Sequence, residues 1–326
     1  MKMRMVNNNR IKFFIVGTFA CLCFVKFSKF SFKSQTTVIN SIDIRGKPYN
    51  YKDEVDFRII VMTFMRPQSL SVLLESMDEI EMDGDSASLE IWIDRDKQGH
   101  ADNKTIEIAT SFHWKKGITH VYVHSTHVGI YGQWIQTWRP KSPSSKEVVL
   151  MLEDDMSVSK YCYRWLKQVH RFYETSTMFA GATVQSDILT SHDGSSTQLK
   201  GPRNHTVFMY KCPGTWGLSP KPSVWMGFQN WYRVSSKDKE FCPCVPGILQ
   251  TAWYKTFKQQ KREDSMWSAW FVYYAYKEKL FTVYSNLKSY NSDSKSCLSI
   301  NRREKGLHYD GQNKGALFIH SFIHSF

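Results

Sequence analysis

The segment from Lys146 to Ser159, KEVVLMLEDDMSVS, carries the clearest signal of the architecture. Its apolar run, 148–152, ends in three consecutive carboxylates, Glu153, Asp154 and Asp155. An apolar run bounded by charge is typical of an internal strand of an α/β sheet, and ligands of such sheets bind at the carboxyl ends of the strands. The three acids therefore lie where we expect a ligand to bind.

These three acids allow two interpretations. Adjacent carboxylates repel one another, so a folded chain tolerates them only if they are solvated, hydrogen-bonded or neutralised by a cation. One interpretation is a hard divalent metal that holds a phosphate-bearing ligand. The other is structural: Asp154 and Asp155 cap a helix that begins near Ser157 or Ser159, because acidic residues stabilise helix N-termini. This segment alone leaves both interpretations open.

The segments around this strand alternate between strand and helix patterns. Apolar runs predict strands at 58–64, 89–94 and 119–124, and helical spacing predicts helices at 67–80, 103–112, 131–138 and 161–173. The second half is less regular, with strands expected near 178–183, 207–210 and 280–285 and helices near 222–231 and 264–279. A series of βαβ units predicts an α/β fold with a largely parallel sheet covered on both faces.

The N-terminal segment 13–25 (FFIVGTFACLCFV) is uninterrupted, apolar and bordered by lysines. It is shorter than a typical span, but terminal lysines can snorkel and early secretory membranes are thinner. A cleaved signal peptide is the alternative, although no small-x-small cleavage site follows. We predict a cytosolic tail at 1–12, a transmembrane signal anchor at 13–27, a stem at 28–54 and a lumenal folded domain at 55–326. The chain would then be a single-pass type II protein of the Golgi or endoplasmic reticulum membrane.

Part of the net positive charge of the chain comes from the predicted anchor and the residues that flank it. The formal net charge is +13, but residues 1–33 hold seven of the 43 basic residues and no acid. The remaining 36 basic and 30 acidic residues leave a balance of +6. Much of the basicity would therefore face anionic lipid, and we expect no nucleic-acid partner.

Two sequons and five cysteines fit a lumenal compartment. The sequons begin at Asn103 and Asn204. The cysteines after the anchor are odd in number, so one thiol is left over and the connectivity stays open. Structural disulfides are preferred to a zinc site, because Cys242-Pro243-Cys244 lacks the paired C-x-x-C modules that zinc would need.

Three enzyme classes lack their sequence signatures here. The chain contains no G-x-x-x-x-G-K-[ST] phosphate loop, and the GIYG of 129–132 is too short for the dinucleotide G-x-G-x-x-G signature. No G-x-S-x-G occurs either, so no hydroxyl stands out as a nucleophile. P-loop nucleotide triphosphatases, dinucleotide-binding proteins and nucleophile-elbow hydrolases are therefore set aside.

Several blocks, taken in chain order, resemble the metal-dependent glycosyltransferases with the GT-A fold, most nearly the N-acetylglucosaminyltransferase I type. They are RIIVMTFMRP (58–67), IWIDRD (91–96), the triple acid, YKCPGTWG (210–217) and RED (262–264), followed by KGLH (305–308). This resemblance covers most of 58–310 and implies a GT-A-like, Rossmann-type mixed sheet. It also implies a Mn²⁺-dependent (or Mg²⁺-dependent) transfer from a UDP-sugar donor to a hydroxyl of a glycan or glycoprotein acceptor. We expect inversion at the anomeric carbon, with a retaining enzyme of the same fold as the alternative.

The resemblance assigns a nucleotide side to the site. Arg66 would lie close to the base, and Asp94 would contact the uridine. Asp155 would be the direct metal ligand, while Glu153 and Asp154 would position the nucleotide.

It also assigns a sugar side and a loop over the diphosphate. Gly214 and Trp216 would line the donor sugar, and the glycine-bounded loop makes Trp216 unlikely to be core. Glu263 would bind substrate, and Asp264 would act as the base that takes the acceptor proton. Two further expectations are that Lys305 and His308 fold over the diphosphate and that Gln136 replaces the histidine which the family carries on its third helix. The alternative function is a non-catalytic lumenal protein of the same fold that binds carbohydrate or nucleotide sugar.

Overall fold

The structure, a computed structural model, describes residues 36–185, 189–190, 197–198, 204–286 and 298–301. The predicted cytosolic tail and signal anchor, together with Cys297, Lys305 and His308, lie outside the described residues. In the described part, no helix is both long and apolar enough to cross a membrane.

The chain forms thirteen strands and seven α-helices within the described ranges. The strands are β1 Thr36–Ile42, β2 Phe57–Thr63, β3 Ala87–Ile93, β4 Ile118–His124, β5 Val148–Glu153, β6 Met156–Val158, β7 Phe179–Thr183, β8 Leu189–Thr190, β9 Thr197–Gln198, β10 Val207–Tyr210, β11 Leu218–Pro220, β12 Phe281–Ser285 and β13 Ser299–Asn301. The helices are α1 Pro67–Asp78, α2 Asn103–Ser111, α3 Gly129–Tyr131, α4 Cys162–Phe172, α5 Pro222–Ser235, α6 Leu249–Gln259 and α7 Trp267–Lys277. A π-helical turn, Gly132–Gln136, continues α3, and a 3₁₀ turn, Glu263–Ser265, precedes α7.

Nine strands form one sheet in the order β1-β4-β3-β2-β5-β11-β7-β12-β10. The pairings make β11 and β10 antiparallel to their neighbours and leave the other seven strands parallel to one another. The central strand is β5, and β2 and β3 follow it on one side; all three are nearly fully buried. The predicted α/β class with a mixed, largely parallel sheet is confirmed.

Helices cover both faces of this sheet, as predicted, because side chains alternate along each strand. On β2, Ile59 and Val61 pack with buried residues of α1 and α4, such as Leu73. Ile60 and Met62 point to the other face, where α5 and α7 contribute buried aromatic side chains. The site therefore rests on a sheet that is buried on both sides.

Several elements differ from the sequence predictions, among them the short strands β6, β8, β9 and β13, which were not predicted. Residues 36–42, assigned to the stem, form the edge strand β1, which pairs in parallel with β4. Its sequence, TTVINSI, is polar because one edge and much of its surface face solvent, so it shows no apolar run. The short β11 and the helix α6 were not predicted, and the helix expected at 131–138 begins at Gly129 and becomes π-helical.

The helix-capping interpretation of Asp154 and Asp155 is wrong. Residues 156–158 form β6, which pairs antiparallel with β13, and α4 begins only at Cys162. The two aspartates lie in the turn between β5 and β6, and so neither is at a helix N-terminus.

The cysteines divide into one pair and two thiols in the described part of the chain. Cys242 and Cys244 form a disulfide, whereas Cys162 and Cys212 are free and buried. Burial raises the pKa of both thiols to about 12. A thiol with such a pKa is unreactive at neutral pH, so both behave as small apolar core residues.

Candidate functional site

The carboxyl ends of four parallel strands meet at one edge of the sheet. β2 and β5 are in register, with Met62 opposite Glu153, and Thr63 of β2 is opposite Ile93 of β3. This register brings the loops after β2, β3 and β5 to the same edge. Arg66, Asp94 and the triple acid, which are far apart in sequence, thus share one end of the sheet.

Asp154 is the most enclosed of the three acids, with 3% of its surface exposed. Its Oδ2 accepts hydrogen bonds from the Thr63 hydroxyl at 2.8 Å and the Phe64 amide at 3.3 Å. Its Oδ1 accepts from Arg66 Nη1 at 3.1 Å. Burial raises the pKa of Asp154 to about 6, although Arg66 and the Thr63 hydroxyl act in the opposite direction. This side chain joins the end of β5 to the loop after β2.

Asp155 shares the same guanidinium. Its Oδ2 lies 3.7 Å from Arg66 Nη1, which is an ion pair beyond hydrogen-bond distance. Burial lowers the pKa of Arg66, but the charges of Asp154 and Asp155 outweigh it and raise the pKa overall. Arg66 therefore lies against the acids directly, a contact that the sequence did not predict.

Glu153 ends β5 and remains partly exposed. Its Oε1 accepts a hydrogen bond from the indole N–H of Trp134 at 3.0 Å. Burial, together with the charges of Asp155 and Asp154, raises the pKa of Glu153 to about 7. The Trp134 hydrogen bond and Arg66 lower it only in part.

The acid cluster carries more negative charge than Arg66 alone balances. Burial is the main cause of the raised pKa values of Glu153 and Asp154, and the charges of the neighbouring carboxylates add to it. Hard oxygen donors with excess negative charge suit Mn²⁺ or Mg²⁺. Among the described residues, no group of three or more His, Cys, Asp or Glu side chains is already arranged to hold a metal ion. The residues present therefore suit a metal ion that takes one carboxylate ligand from the protein, Asp155, and not one that is held by several protein side chains.

Asp94 is buried and holds the loop before α3. Its Oδ1 accepts from the amides of Arg95 at 2.8 Å and Val128 at 2.9 Å, and its Oδ2 accepts from the Gly129 amide at 2.9 Å. His127 Nδ1 lies 3.2 Å from the same Oδ2. Asp94 therefore fixes the start of the helix that carries Trp134, and its contact with uridine stays a prediction.

Gln133, rather than Gln136, crosses the carboxyl edge of the sheet. Its side-chain amide donates to the carbonyls of Trp92 at 3.2 Å and Thr63 at 3.4 Å, and its Oε1 lies 3.3 Å from His124 Nε2. Gln136 is partly exposed, and its carbonyl accepts the Tyr49 amide. The substitution of Gln136 for the family's histidine stays a prediction, whereas Gln133 bridges β2, β3 and β4.

The 210–217 loop approaches the sheet closely at Gly214. A Cβ there would overlap the side chain of Thr183, whose hydroxyl donates to the Gly214 carbonyl at 3.0 Å. Trp216 is partly buried and packs against the main core cluster without being one of its fully buried residues. Its amide donates to Gln185 Oε1 at 3.2 Å, and its carbonyl accepts the Ser299 hydroxyl at 2.8 Å.

The Glu263–Ser265 turn contacts the helical segment at the sheet edge. Tyr131 donates its hydroxyl to the Glu263 carbonyl at 2.8 Å. The Oε2 atom of Glu263 is buried and has no hydrogen-bond partner in the described part of the structure. Asp264 lies in the middle of this turn, and its role as base stays a prediction.

The strand β13 leads from the site towards the predicted diphosphate loop. It pairs antiparallel with β6, with Asn301 opposite Met156, the residue that follows Asp155. Lys305 and His308 come shortly after Asn301 in the sequence and lie outside the described residues.

A cleft of 370 Å³ lies at the opposite end of the sheet. Its lining residues include Asp56, Ser86 and Glu147, which precede β2, β3 and β5. Ligands of open α/β sheets bind outside the carboxyl ends of the strands, so the acid cluster is the better candidate site.

Sequence reasoning missed three side chains of this edge: Thr63, Gln133 and Trp134. The last two are consecutive residues of the π-helical turn, and their directions depend on a helix geometry that apolar spacing does not indicate. One available signal was the pair of tryptophans at 134 and 138, spaced four residues apart on one helix face.

The sequence matches no protein-family profile and no curated protein. Among solved structures, the chain is similar to S. aureus TarS residues 1–349, with 13% identity and a TM-score of 0.33, over 71% of this chain and 60% of that chain. A second TarS structure from S. aureus gives 12% identity and a TM-score of 0.33, over 71% of this chain and 37% of that chain. The chain thus spans less than two thirds of either TarS chain, and at these values neither likeness establishes a shared fold.

Proposed function

We propose that this protein is a glycosyltransferase that uses a UDP-sugar donor and a divalent cation. The observation that carries the proposal is the buried acid cluster at the carboxyl end of the central strand β5, with its excess of negative charge. Three consecutive carboxylates lie together at this strand end with Arg66 against two of them, and this charge imbalance supports a site that gains a cation with its ligand. The GT-A-like arrangement is part of this proposal and is motivated by the order of the sequence blocks.

Asp155 is the proposed ligand of Mn²⁺ or Mg²⁺. It lies beside Glu153 and Asp154 at the end of β5, and its Oδ2 is 3.7 Å from Arg66 Nη1. When bound, such a cation supplies neutralisation of the charge that develops on the departing diphosphate. Water and phosphate oxygens fill the remaining positions of a hard cation with few protein ligands.

The donor and acceptor are held by different elements in this proposal. Arg66 and Asp94 face the nucleotide from the loops after β2 and β3, and Gly214 and Trp216 lie on the sugar side. Asp264, as base, accepts the proton of the acceptor hydroxyl, because a neutral hydroxyl is a weak nucleophile near pH 7. Inversion at the anomeric carbon follows from a single in-line displacement with one base.

The proposed setting is the lumen of the Golgi or endoplasmic reticulum, with a type II anchor at 13–27. The apolar segment with flanking lysines and the two sequons support this setting. A glycan or glycoprotein hydroxyl is the acceptor class that such a compartment presents.

One observation favours the second candidate, a binding protein without turnover. Arg66 already contacts Asp154 and Asp155, so the aspartates have a cationic partner without metal. A protein that kept the fold and lost catalysis would retain this pair and bind nucleotide sugar independently of Mn²⁺.

The test is a donor screen with the full-length chain in detergent. UDP-sugar hydrolysis is measured with MnCl₂ or with EDTA, and NMR of the sugar product gives its stereochemistry. Metal-dependent turnover of one UDP-sugar supports the transferase, and donor binding without it supports the second candidate. If no UDP-sugar is bound or hydrolysed under either condition, the proposed function is wrong.

A further inference from the structure

Trp134 connects the acid cluster to a distant part of the chain. Its indole is fully buried, and its N–H donates to Glu153 Oε1 at 3.0 Å. The same ring stacks on Trp267, with centroids 4.4 Å apart and an angle of 18° between the planes. One side chain thus contacts the end of β5 and the start of α7.

The start of α7 directly follows the Glu263–Ser265 turn. Trp267 is the first residue of the helix, and Tyr131, three residues before Trp134, donates its hydroxyl to the Glu263 carbonyl at 2.8 Å. The segment 129–136 therefore contacts both the carboxylate end of β5 and the turn, through two separate side chains. The segment is itself fixed by Asp94, which accepts the Gly129 amide.

We propose that Trp134 is a positioning residue that fixes the Glu153 carboxylate relative to the Glu263–Ser265 turn. The inference rests on the proposed function, in which these two features belong to the donor and acceptor sides of one site. A glutamate at a partly exposed strand end has several rotamers, and a hydrogen bond from a buried, stacked indole selects one of them. The partly exposed Glu153 can still face a ligand.

The π-helical turn explains how adjacent residues reach different partners. Gln133 donates to the carbonyls of β2 and β3, while Trp134 reaches β5 and α7. Single π-helical turns are rare and occur often at functional sites. In this protein the π-helical turn places the side chains of Gln133 and Trp134 next to each other at the sheet edge.

The chain offers a closely matched control. Trp138, one turn further on, is also fully buried, and its indole N–H donates to Glu147 Oε1 at 3.1 Å. Glu147 immediately precedes β5, whereas Glu153 ends it, so the two tryptophans contact carboxylates at opposite ends of one strand. Trp134→Phe and Trp138→Phe each remove one indole-to-carboxylate hydrogen bond and keep an aromatic ring.

The experiment compares the two variants in the full-length chain. Calorimetry measures UDP binding in MnCl₂, and thermal unfolding measures stability. We expect similar losses of Tm, whereas Trp134→Phe weakens UDP binding by about tenfold or more, as outer-shell changes at metal sites do. Trp138→Phe should leave UDP binding within about twofold, because it lies at the far end of the strand. In a double-mutant cycle, Trp134→Phe and Glu153→Gln should be non-additive in UDP binding.

Equal UDP affinities for the two variants, with the wild-type chain binding UDP, would overturn the positioning role alone. A wild-type chain that does not bind UDP in Mn²⁺ would overturn both this inference and the proposed function. If Trp134→Phe does not fold, Tyr131→Phe is measured instead, because it removes the hydrogen bond to the Glu263 carbonyl. Slower UDP-sugar hydrolysis at unchanged UDP affinity then supports the link to the turn, and unchanged hydrolysis contradicts it.

Discussion

Arg66 Nη1 lies 3.1 Å from Oδ1 of Asp154, an aspartate that is only 3% exposed. The same guanidinium is 3.7 Å from Asp155 Oδ2. Removing one partner of an enclosed ion pair leaves an uncompensated charge. Arg66 therefore compensates part of the negative charge of the acid cluster when no metal ion is bound.

Arg66→Ala should have opposite effects on Mn²⁺ and on UDP. Without the guanidinium, the acids attract a free cation more strongly, so Mn²⁺ alone should bind several-fold more tightly. UDP in saturating Mn²⁺ should bind more weakly, because the proposed contact near the base is lost. Calorimetry of each ligand checks both, with Arg66→Lys as the variant that keeps charge but loses the fork geometry. Mn²⁺ affinity that falls in Arg66→Ala would contradict this account of the pair.

Without metal, the acid cluster should contribute less to thermal stability at about pH 7 than at about pH 4. The folded-state pKa values of Glu153 and Asp154, about 7 and about 6, lie above their ordinary values of 4.5 and 3.8. The folded chain therefore holds these protons more tightly, and stability is lost as pH rises through that window. Mn²⁺ should restore a few degrees of Tm at pH 7.5 and little at pH 4.5, since it favours the ionised acids.

Burial also raises the pKa of Glu90 to about 7, despite Arg58, so Glu90 contributes in the same direction. Burial lowers the pKa of His170 to about 4, so His170 contributes in the opposite direction. The double variant Glu153→Gln, Asp154→Asn separates the two regions, because it should flatten the pH dependence only in part and abolish the effect of Mn²⁺. The same pH dependence of Tm in the wild-type chain and in this double variant, measured without metal, would be incompatible with the shifts assigned to Glu153 and Asp154.

Asp264→Asn should stop transfer and leave UDP binding unchanged. Loss of a general base costs about 10² to 10⁴ in rate, and the base does not contact the nucleotide in the proposed site. Single-turnover transfer and UDP calorimetry in Mn²⁺ measure the two effects, with Glu263→Gln as the neighbouring control. Transfer at the wild-type rate by Asp264→Asn would remove Asp264 from the mechanism.

Gly214→Ala should destabilise the chain by about 1 to 3 kcal/mol, because the added methyl overlaps Thr183 next to the sheet. Gly227→Ala is a useful control, since the nearest atom there is the hydroxyl of Tyr274, the far end of a side chain that can move. Urea unfolding of the two variants should show the larger loss at Gly214. A smaller loss at Gly214 than at Gly227 would argue against this close approach.

The central strands could be predicted from the sequence, and the edges could not. β2, β3 and β5 are buried on both faces, which requires the apolar runs that the sequence shows. β1 lies at the edge with mostly polar side chains, so its sequence resembles a stem. β11 has only three residues, one of them Pro220, and is defined by its antiparallel pairing with β7 rather than by its composition.

The acid cluster could be placed at a strand end from the sequence, but its partners could not. The contact between Arg66 and Asp154 spans 88 residues, and that between Trp134 and Glu153 depends on the phase of a π-helical turn. Asp94 shows the same limit: its residue type indicates polarity, whereas its three backbone hydrogen bonds depend on how the loop at 127–129 folds back.

The most direct test of the acid cluster as a cation-dependent nucleotide site is calorimetric titration of UDP into the full-length chain. The wild-type protein is measured in MnCl₂ and in EDTA, and Asp155→Ala and Glu147→Gln are measured in MnCl₂. The expected result is UDP binding by the wild-type chain only with Mn²⁺, no binding by Asp155→Ala, and retained binding by Glu147→Gln, whose carboxylate pairs with Arg58 at the other end of β5. UDP binding by Asp155→Ala at wild-type affinity, or equal binding in EDTA, would contradict the account.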